Sequence, residues 1–425
     1  MNKKQLDAWT RQIVRIAFSA DPGPPTPTHR ARNLSHQGVG FALIEDVSDE
    51  YDDLVRKFLT HADWGEKFSE NYVEQSLRAI LAEALINRES PAEARKRASE
   101  GLTSLVARLD EYVEEHTCYV PLVGLRLSSG DVELGRVVLE ELSEEKVDQL
   151  ADKVTTILNA SKHLEEEKQA FVRMHEPIIK GMQGWVCAKF RAVAEPERAR
   201  DRAETETRRV LDLLRFAVPT LYPPSVDVAI GFDGEVFATQ RMTPTLSDQR
   251  FSLHMIRVGP HSDLDLSQAN RKVMHEIGVF EVSDILRKPS RSLNDFEEAL
   301  LRGVHWFADA ETQQEPENQL LSLVTCLETF LTPRDRSPIR TAVAEGVAMI
   351  LAEDLKTRRA LKKFVIAVYG QRSAVSHGGR TAVLQTDLGQ LKYIAHRLIR
   401  ALIQRKDEFA DRESLARWLE EQRLA

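Results

Sequence analysis

Cysteine is nearly absent: Cys118, Cys187 and Cys326 are the only three in 425 residues, far apart, with no Cys-x-x-Cys or Cys/His cluster. That excludes a disulfide framework and a thiolate zinc site, and it suits a reducing compartment. No run approaches the ~18 uninterrupted apolar residues of a membrane span. The opening Met-Asn-Lys-Lys-Gln-Leu-Asp has no apolar stretch behind it. No signal peptide, no membrane association and a cytoplasmic location are therefore expected. Catalytic signatures are also missing. The chain has no Walker A run, no Gly-x-Ser-x-Gly elbow, no His-Glu-x-x-His and no Gly-x-Gly-x-x-Gly after a strand. The twelve histidines are scattered, and His254/His261 and His163/His175 are too far apart for one helix-face metal pair. No metal and no cofactor are expected.

What is present is enough for a packed core: 42% hydrophobic and 29% charged residues, in a length that suits two or three domains. Periodicity predicts helices over 3–18, 72–86 and 91–115, the last opened by Ser90 with Pro91 at the first helical position. Residues 21–27, rich in proline, end the first of these helices. Residues 118–127 and 132–142 read as strands around the turn at 128–131, and a long polar helix is expected from Ser143 to about His175. A charged helix at 198–216 precedes strands at 226–231, 236–240 and 251–258, with Phe232-Asp-Gly-Glu235 as a tight turn. Residues 280–290 read as a linker. From Ser292 the pattern is helical to the end: 296–308 capped by Asn294, 317–331, 340–355, 358–369 interrupted at Gly370, 388–404 and 412–421. The expected fold is α+β and predominantly α-helical. A mixed region over 1–290, read as a sensor or regulatory domain, precedes an all-α bundle over 291–425.

The net charge of −8 conceals segregation. Residues 356–406 carry twelve Lys/Arg against one acid, Asp387, a local charge of +11 that leaves −19 for the remainder. A solvated helix face is the usual fate of basic runs, but acids within this run are too few to neutralise it by i,i+4 pairing. A polyanion contact is expected, with Arg358, Arg359, Lys362, Lys363 and Arg380 as its candidates.

One chemical constellation lies inside that segment: Val368-Tyr369-Gly-Gln-Arg372-Ser373-Ala-Val-Ser-His377-Gly378-Gly379. On a helix Arg372 and His377 project about 7.5 Å apart along the axis, flanking a groove. Arg is a permanent planar donor for phosphate oxygens, and His moves protons near neutral pH. Together with Leu327-Glu328 on a preceding helix and a long closing helix, the string resembles the HEPN superfamily, nearest to its ApeA-like branch with a Leu-Tyr-x-x-Arg-Ser-x-x-x-His-Gly motif. The resemblance covers about 292–406. Many HEPN ribonucleases carry Asn, Asp or His straight after the motif Arg, where this chain has Ser373.

The resemblance implies a helical bundle that dimerises through its motif helices and brings two Arg/His sets to one cleft. It also implies metal-independent RNA cleavage, as a toxin or antiviral effector answering a phage or regulatory trigger. His377 is then the general acid or base and Arg372 the stabiliser of the phosphorane, with Ser373 and Tyr369 as lesser candidates and Glu328 as partner to Arg372. Two other readings stand beside it: a non-catalytic HEPN protein that binds RNA or scaffolds a partner, and a helical interaction protein with a basic face.

Overall fold

The structure is a computed structural model and describes residues 2–20, 31–44, 46–87, 89–160, 164–226, 228–234, 241–247, 250–256, 262–332, 338–376 and 383–424. The fold is α+β and predominantly α-helical, as the sequence led us to expect. The proline-rich breaker at 21–27, the strand expected at 236–240 and the residues His377 to Arg380 lie outside the described residues. The chain divides into two compact units, Met1–Cys118 with Arg191–Glu204, and Tyr119–Phe190 with Thr205–Ala425. Residues on both sides of position 290 belong to the second unit.

The first unit contains α1 (Lys3–Ser19), the hairpin β1 (Ala31–His36) and β2 (Val39–Ile44), α2 (Asp46–Leu59), the short α3 (Trp64–Lys67), α4 (Glu70–Ile86) and α5 (Pro91–Arg108). Side-chain caps start the helices. Asn2 and Gln5 form a capping box on α1, Ser69 accepts from the Tyr72 amide at 3.1 Å on α4, and Ser90 with Pro91 opens α5. Their apolar stripes meet in one core, where the Trp9 ring lies 5.2 Å from Phe58, and Phe58 lies 4.5 Å from Trp64. No pattern in the sequence marks this hairpin. Its two-residue turn, Gln37-Gly38, has both residues at positive φ (47° and 82°), the conformation for which Asn-Gly is the usual signal and Gln-Gly is not. Arg32 on β1 meets Asp52 of α2 and Glu74 of α4, tying the hairpin to two helices. The helix expected over 91–115 ends at Arg108, and a 3-10 turn leads to a strand from Glu114.

A five-stranded sheet is formed by β3 (Glu114–Val123), β5 (Val132–Leu134), β6 (Val137–Glu141), β7 (Val186–Ala194) and β8 (Gly231–Phe232), in the order β5-β6-β7-β3-β8; the start of β3 and the end of β7 are counted with the first unit, the rest with the second. A parallel pair of β4 (Leu125–Arg126) with β11 (Leu264–Asp265) and an antiparallel hairpin of β9 (Arg241–Ser247) with β10 (Arg250–Ile256) complete the strands. The polar helix expected from Ser143 is two helices, α6 (Glu144–Ala160) and α7 (Glu165–Gly181). The second starts where Glu167 accepts the Leu164 amide at 3.0 Å. The long α8 (Pro196–Leu221) belongs to the first unit up to Glu204 and to the second from Thr205, and α9 (Gln268–Glu276) comes later in the second. The expected linker at 280–290 is mostly α10 (Val279–Arg287), whose Val279, Val282, Ile285 and Leu286 are buried at helical spacing. Gly278 opens it at φ 87°, where a Cβ would lie 2.5 Å from Ile403.

The closing bundle is α11 (Asp295–Thr312), α12 (Pro316–Leu331), α13 (Ile339–Leu351), α14 (Leu355–Ser376), α15 (Gln385–Gln404) and α16 (Arg412–Leu424). Asn294 caps α11, as its sequence implies, and the structure completes a capping box with Glu297. Gly303 lets α11 and α12 approach closely, since a Cβ there would meet the Phe330 ring at 2.1 Å. Gly370 does not interrupt its helix; α14 runs through it to Ser376, because Val365, Val368 and Tyr369 anchor one side of the helix and Gly370 faces solvent.

At the centre of this unit Phe216 of α8, Phe307 of α11 and His396 of α15 form an aromatic cluster with centroids 4.7–5.8 Å apart. Burial, reinforced by the Arg400 charge, lowers the His396 pKa from 6.5 to about 4, while its Nε2 lies 3.2 Å from the Phe216 carbonyl. The neutral ring is thus the folded form, and the unfolded chain binds the extra proton between about pH 6.5 and 4. His396 therefore contributes stability above that window, and the contribution is lost as pH falls through it. Thermal midpoints measured from pH 7 to 4 are expected to fall more steeply in the wild type than in His396→Leu. Parallel slopes would contradict the assignment.

Candidate active site

Each helix that carries a motif residue is positioned by its own apolar stripe. In α12, Leu320, Val324, Leu327 and Leu331 are buried, and Glu328 stands at the edge of that stripe. Thr332 ends the helix, with its amide and hydroxyl both donating to the Glu328 carbonyl at 3.1 and 2.7 Å. In α14, Asp354 accepts from the Thr357 amide at 2.9 Å and starts the helix. Val365, Val368 and Tyr369 face inward, and Arg372 follows at i+7 and i+3 from members of that stripe.

The structure brings Glu328, Tyr369 and Arg372 together. Arg372 Nη2 lies 3.8 Å from Glu328 Oε2, with side chains 40% and 21% exposed. The pair is loose, single-pronged and open to water, and pairs of this kind are worth about 0–1 kcal/mol. Glu328 therefore biases the direction of Arg372 without consuming its donors. The Tyr369 hydroxyl is buried with no well-formed hydrogen bond, and burial, then the adjacent Glu328 carboxylate, pushes its pKa well up. It stays a neutral phenol at any working pH, a donor rather than a base. Ser373 is exposed and projects about 100° round the helix from Arg372.

A further contact carries no signature in the spacing. Gln371 Nε2 donates to Asp387 Oδ2 at 2.7 Å, linking the last turns of α14 to the first turn of α15 on either side of His377. The signal available in the sequence is Asp387 itself, the single acid of the basic segment.

The structure changes the electrostatic picture of that segment. Acids from outside it meet many of its cations: Glu345 accepts from Lys362 at 2.7 Å, Glu311 from Lys392 at 2.5 Å, and Glu408 from Arg405 at 2.5 Å. Asp407 pairs with Lys406 at 2.9 Å, and Arg358 Nε donates to the Ala352 carbonyl at 2.9 Å. Glu345 and Glu311 come from other helices, and Asp407 and Glu408 lie just past the end of the segment, so its cations are partly neutralised from outside it. Arg359 and Lys363 are exposed and have no ion pair among the described residues. They share the solvent face of α14 with Gly370, at helical spacing. Their Cα positions lie about 20 and 14 Å along the axis from Arg372, so they do not belong to the Arg372 cluster itself.

The chain matches no family model, no curated protein and no solved structure. No helix among the described residues is long and apolar enough to cross a membrane.

Proposed function

We propose that the protein is a metal-independent endoribonuclease of HEPN type. The observation that carries the reading is the placement of Arg372 at the open end of α14, loosely directed by Glu328 and backed by Tyr369, five residues before His377 in the chain. The RNA 2′-hydroxyl attacks the adjacent phosphorus. His377 moves a proton, taking it from the attacking hydroxyl or giving it to the departing 5′-oxygen. Arg372 donates to the non-bridging oxygens as their charge grows. The P–O5′ bond breaks, leaving a 2′,3′-cyclic phosphate and a 5′-hydroxyl.

A homodimer through the bundle gives the cleft one His for each proton and doubles the cations around one phosphate. The small residues Gly370 and Ser373 on α14 support close approach of a second copy of that helix. A cytoplasmic location and a role as a toxin or antiviral effector released by a trigger belong to the same proposal. The test is the chemistry of the ends. Cleaved RNA carries cyclic phosphate and 5′-hydroxyl termini, and an oligonucleotide with a 2′-deoxy sugar at the scissile position is bound but not cut. Termini with 5′-phosphate would refute the mechanism.

RNA affinity is expected to fall steeply with salt, and the pairing of the lysines makes that dependence uneven. Neutralising Arg359 and Lys363 together should flatten the log–log salt slope by about 1.4, at roughly 0.7 per single-strand phosphate contact. Neutralising Lys362, already bonded to Glu345, should change it far less. Equal effects from both sets, read by fluorescence anisotropy across ionic strengths, would contradict this assignment.

A further inference from the structure

The first unit carries a polar groove of about 680 Å³ that the C-terminal chemistry does not use. It is the trough between two helices. Tyr72, Gln75, Ala79 and Glu83 line it at i, i+3, i+7 and i+11 on α4, and Arg97, Gly101, Ser104 and Arg108 at i, i+4, i+7 and i+11 on α5. The tip of the β1–β2 hairpin, with His36, borders it as well. Gly101 sets the spacing, since a Cβ there would stand 3.0 Å from Ile80, so the helices approach closely beneath the trough.

Its walls hold three guanidinium groups, Arg78, Arg97 and Arg108, against one carboxylate, Glu83. Internal partners satisfy them incompletely. Arg78 interacts with the Tyr51 hydroxyl and its Nη2 reaches Glu74 at 3.5 Å, while its Nε is buried without a hydrogen-bond partner. Arg108 donates its Nε to the Ser104 carbonyl at 3.3 Å and has no carboxylate partner among the described residues. Arg97 is bonded to Glu93 at 3.0 Å. Beside Arg108 lies an aromatic ladder. Phe68 stacks on Tyr72 at 5.4 Å, Tyr72 packs on Tyr112 at 5.6 Å, and Tyr112 is 46% exposed. The groove thus presents planar fork donors for an anion next to an open aromatic ring, in a volume that suits a small ligand.

We propose that this groove binds a small nucleotide, its phosphate held by Arg78 and Arg108 and its base stacked on Tyr112. The inference stands apart from the ribonuclease reading, because none of its residues is shared with the Arg372 cluster. It is tested by isothermal titration calorimetry on the full chain, with AMP and GMP as probes and inorganic phosphate and adenosine as controls. Either nucleotide is expected to bind at least ~10-fold more tightly than phosphate or adenosine alone, since each control lacks one of the two contacts. Arg108→Gln should weaken nucleotide binding by ~10-fold or more and Tyr112→Ala by ~5-fold or more. Both side chains are exposed, so far-UV circular dichroism and melting should stay as in the wild type. Either variant carries the test if the other fails to fold. Arg372→Ala should bind the nucleotides as the wild type does, which separates this groove from the candidate active site. The proposal is overturned by any of three results: no binding of AMP or GMP at millimolar concentration, wild-type affinity in Arg108→Gln and Tyr112→Ala, or phosphate binding as tightly as the nucleotides.

Discussion

Arg372→Ala is expected to slow RNA cleavage by ~10²–10³, because the proposed role of its guanidinium is to meet charge that appears only as the phosphorane forms. His377→Ala is expected to cost ~10²–10⁴, the usual worth of a positioned proton-transfer group. Since both act on one transition state, the double variant should be scarcely slower than the worse single one. Glu328→Gln offers the contrast. Its pair with Arg372 is 3.8 Å long and partly open to water, so Glu328 acts as a positioning residue and its loss should cost no more than about fivefold. Single-turnover rates on one RNA, with binding measured separately, separate these effects. A Glu328→Gln loss as large as that of Arg372→Ala would mean that Glu328 itself touches the reacting groups.

Phe307→Ala is expected to destabilise the second unit by about 3–5 kcal/mol. Phe307 is fully buried, and its ring packs against Phe216 and His396, so truncation opens a cavity where α8, α11 and α15 meet. In a unit of this size that is a fall in the unfolding midpoint on the order of 10 °C. Phe307→Leu, which refills most of the volume, should cost a fraction of this. Urea unfolding followed by near-ultraviolet circular dichroism reads both variants. A loss under about 1 kcal/mol for Phe307→Ala would mean that the three helices are held elsewhere.

The features legible in the sequence are mostly local. Asn294, and Ser90 with Pro91, announce helix starts that the structure keeps, because a cap is satisfied within one turn. The β1–β2 hairpin escapes pattern reading because Gln37 takes a positive φ that its residue type does not advertise. The run 280–290 resembles a linker because Lys288-Pro289-Ser290 is the stronger local signal, although Val279, Val282 and Ile285 already carry the helical period. Gly370 reads as a stop because an isolated glycine weakens a helix. In the structure the buried Val365, Val368 and Tyr369 hold α14 through that position. At the candidate site, the motif string puts Arg372 and Glu328 on neighbouring helices, while their looseness and the Gln371–Asp387 bond depend on tertiary packing that no spacing encodes. The acids that quench Lys362 and Lys392, Glu345 and Glu311, lie 17 and 81 residues away, beyond any i,i+4 rule. The groove between α4 and α5 is hidden for the same reason, since its arginines read one helix at a time as ordinary solvated surface.

The most direct test of the central claim is a cleavage time course of mixed RNA in excess EDTA, with the wild type beside His377→Ala at equal concentration. Proton transfer by His377 and charge stabilisation by Arg372 predict that the wild type cuts RNA in the chelator while His377→Ala leaves it intact over the same interval. Cleavage by His377→Ala at the wild-type rate, or wild-type cleavage only when Mg²⁺ is added, would contradict the mechanism and leave the bundle as a binding domain.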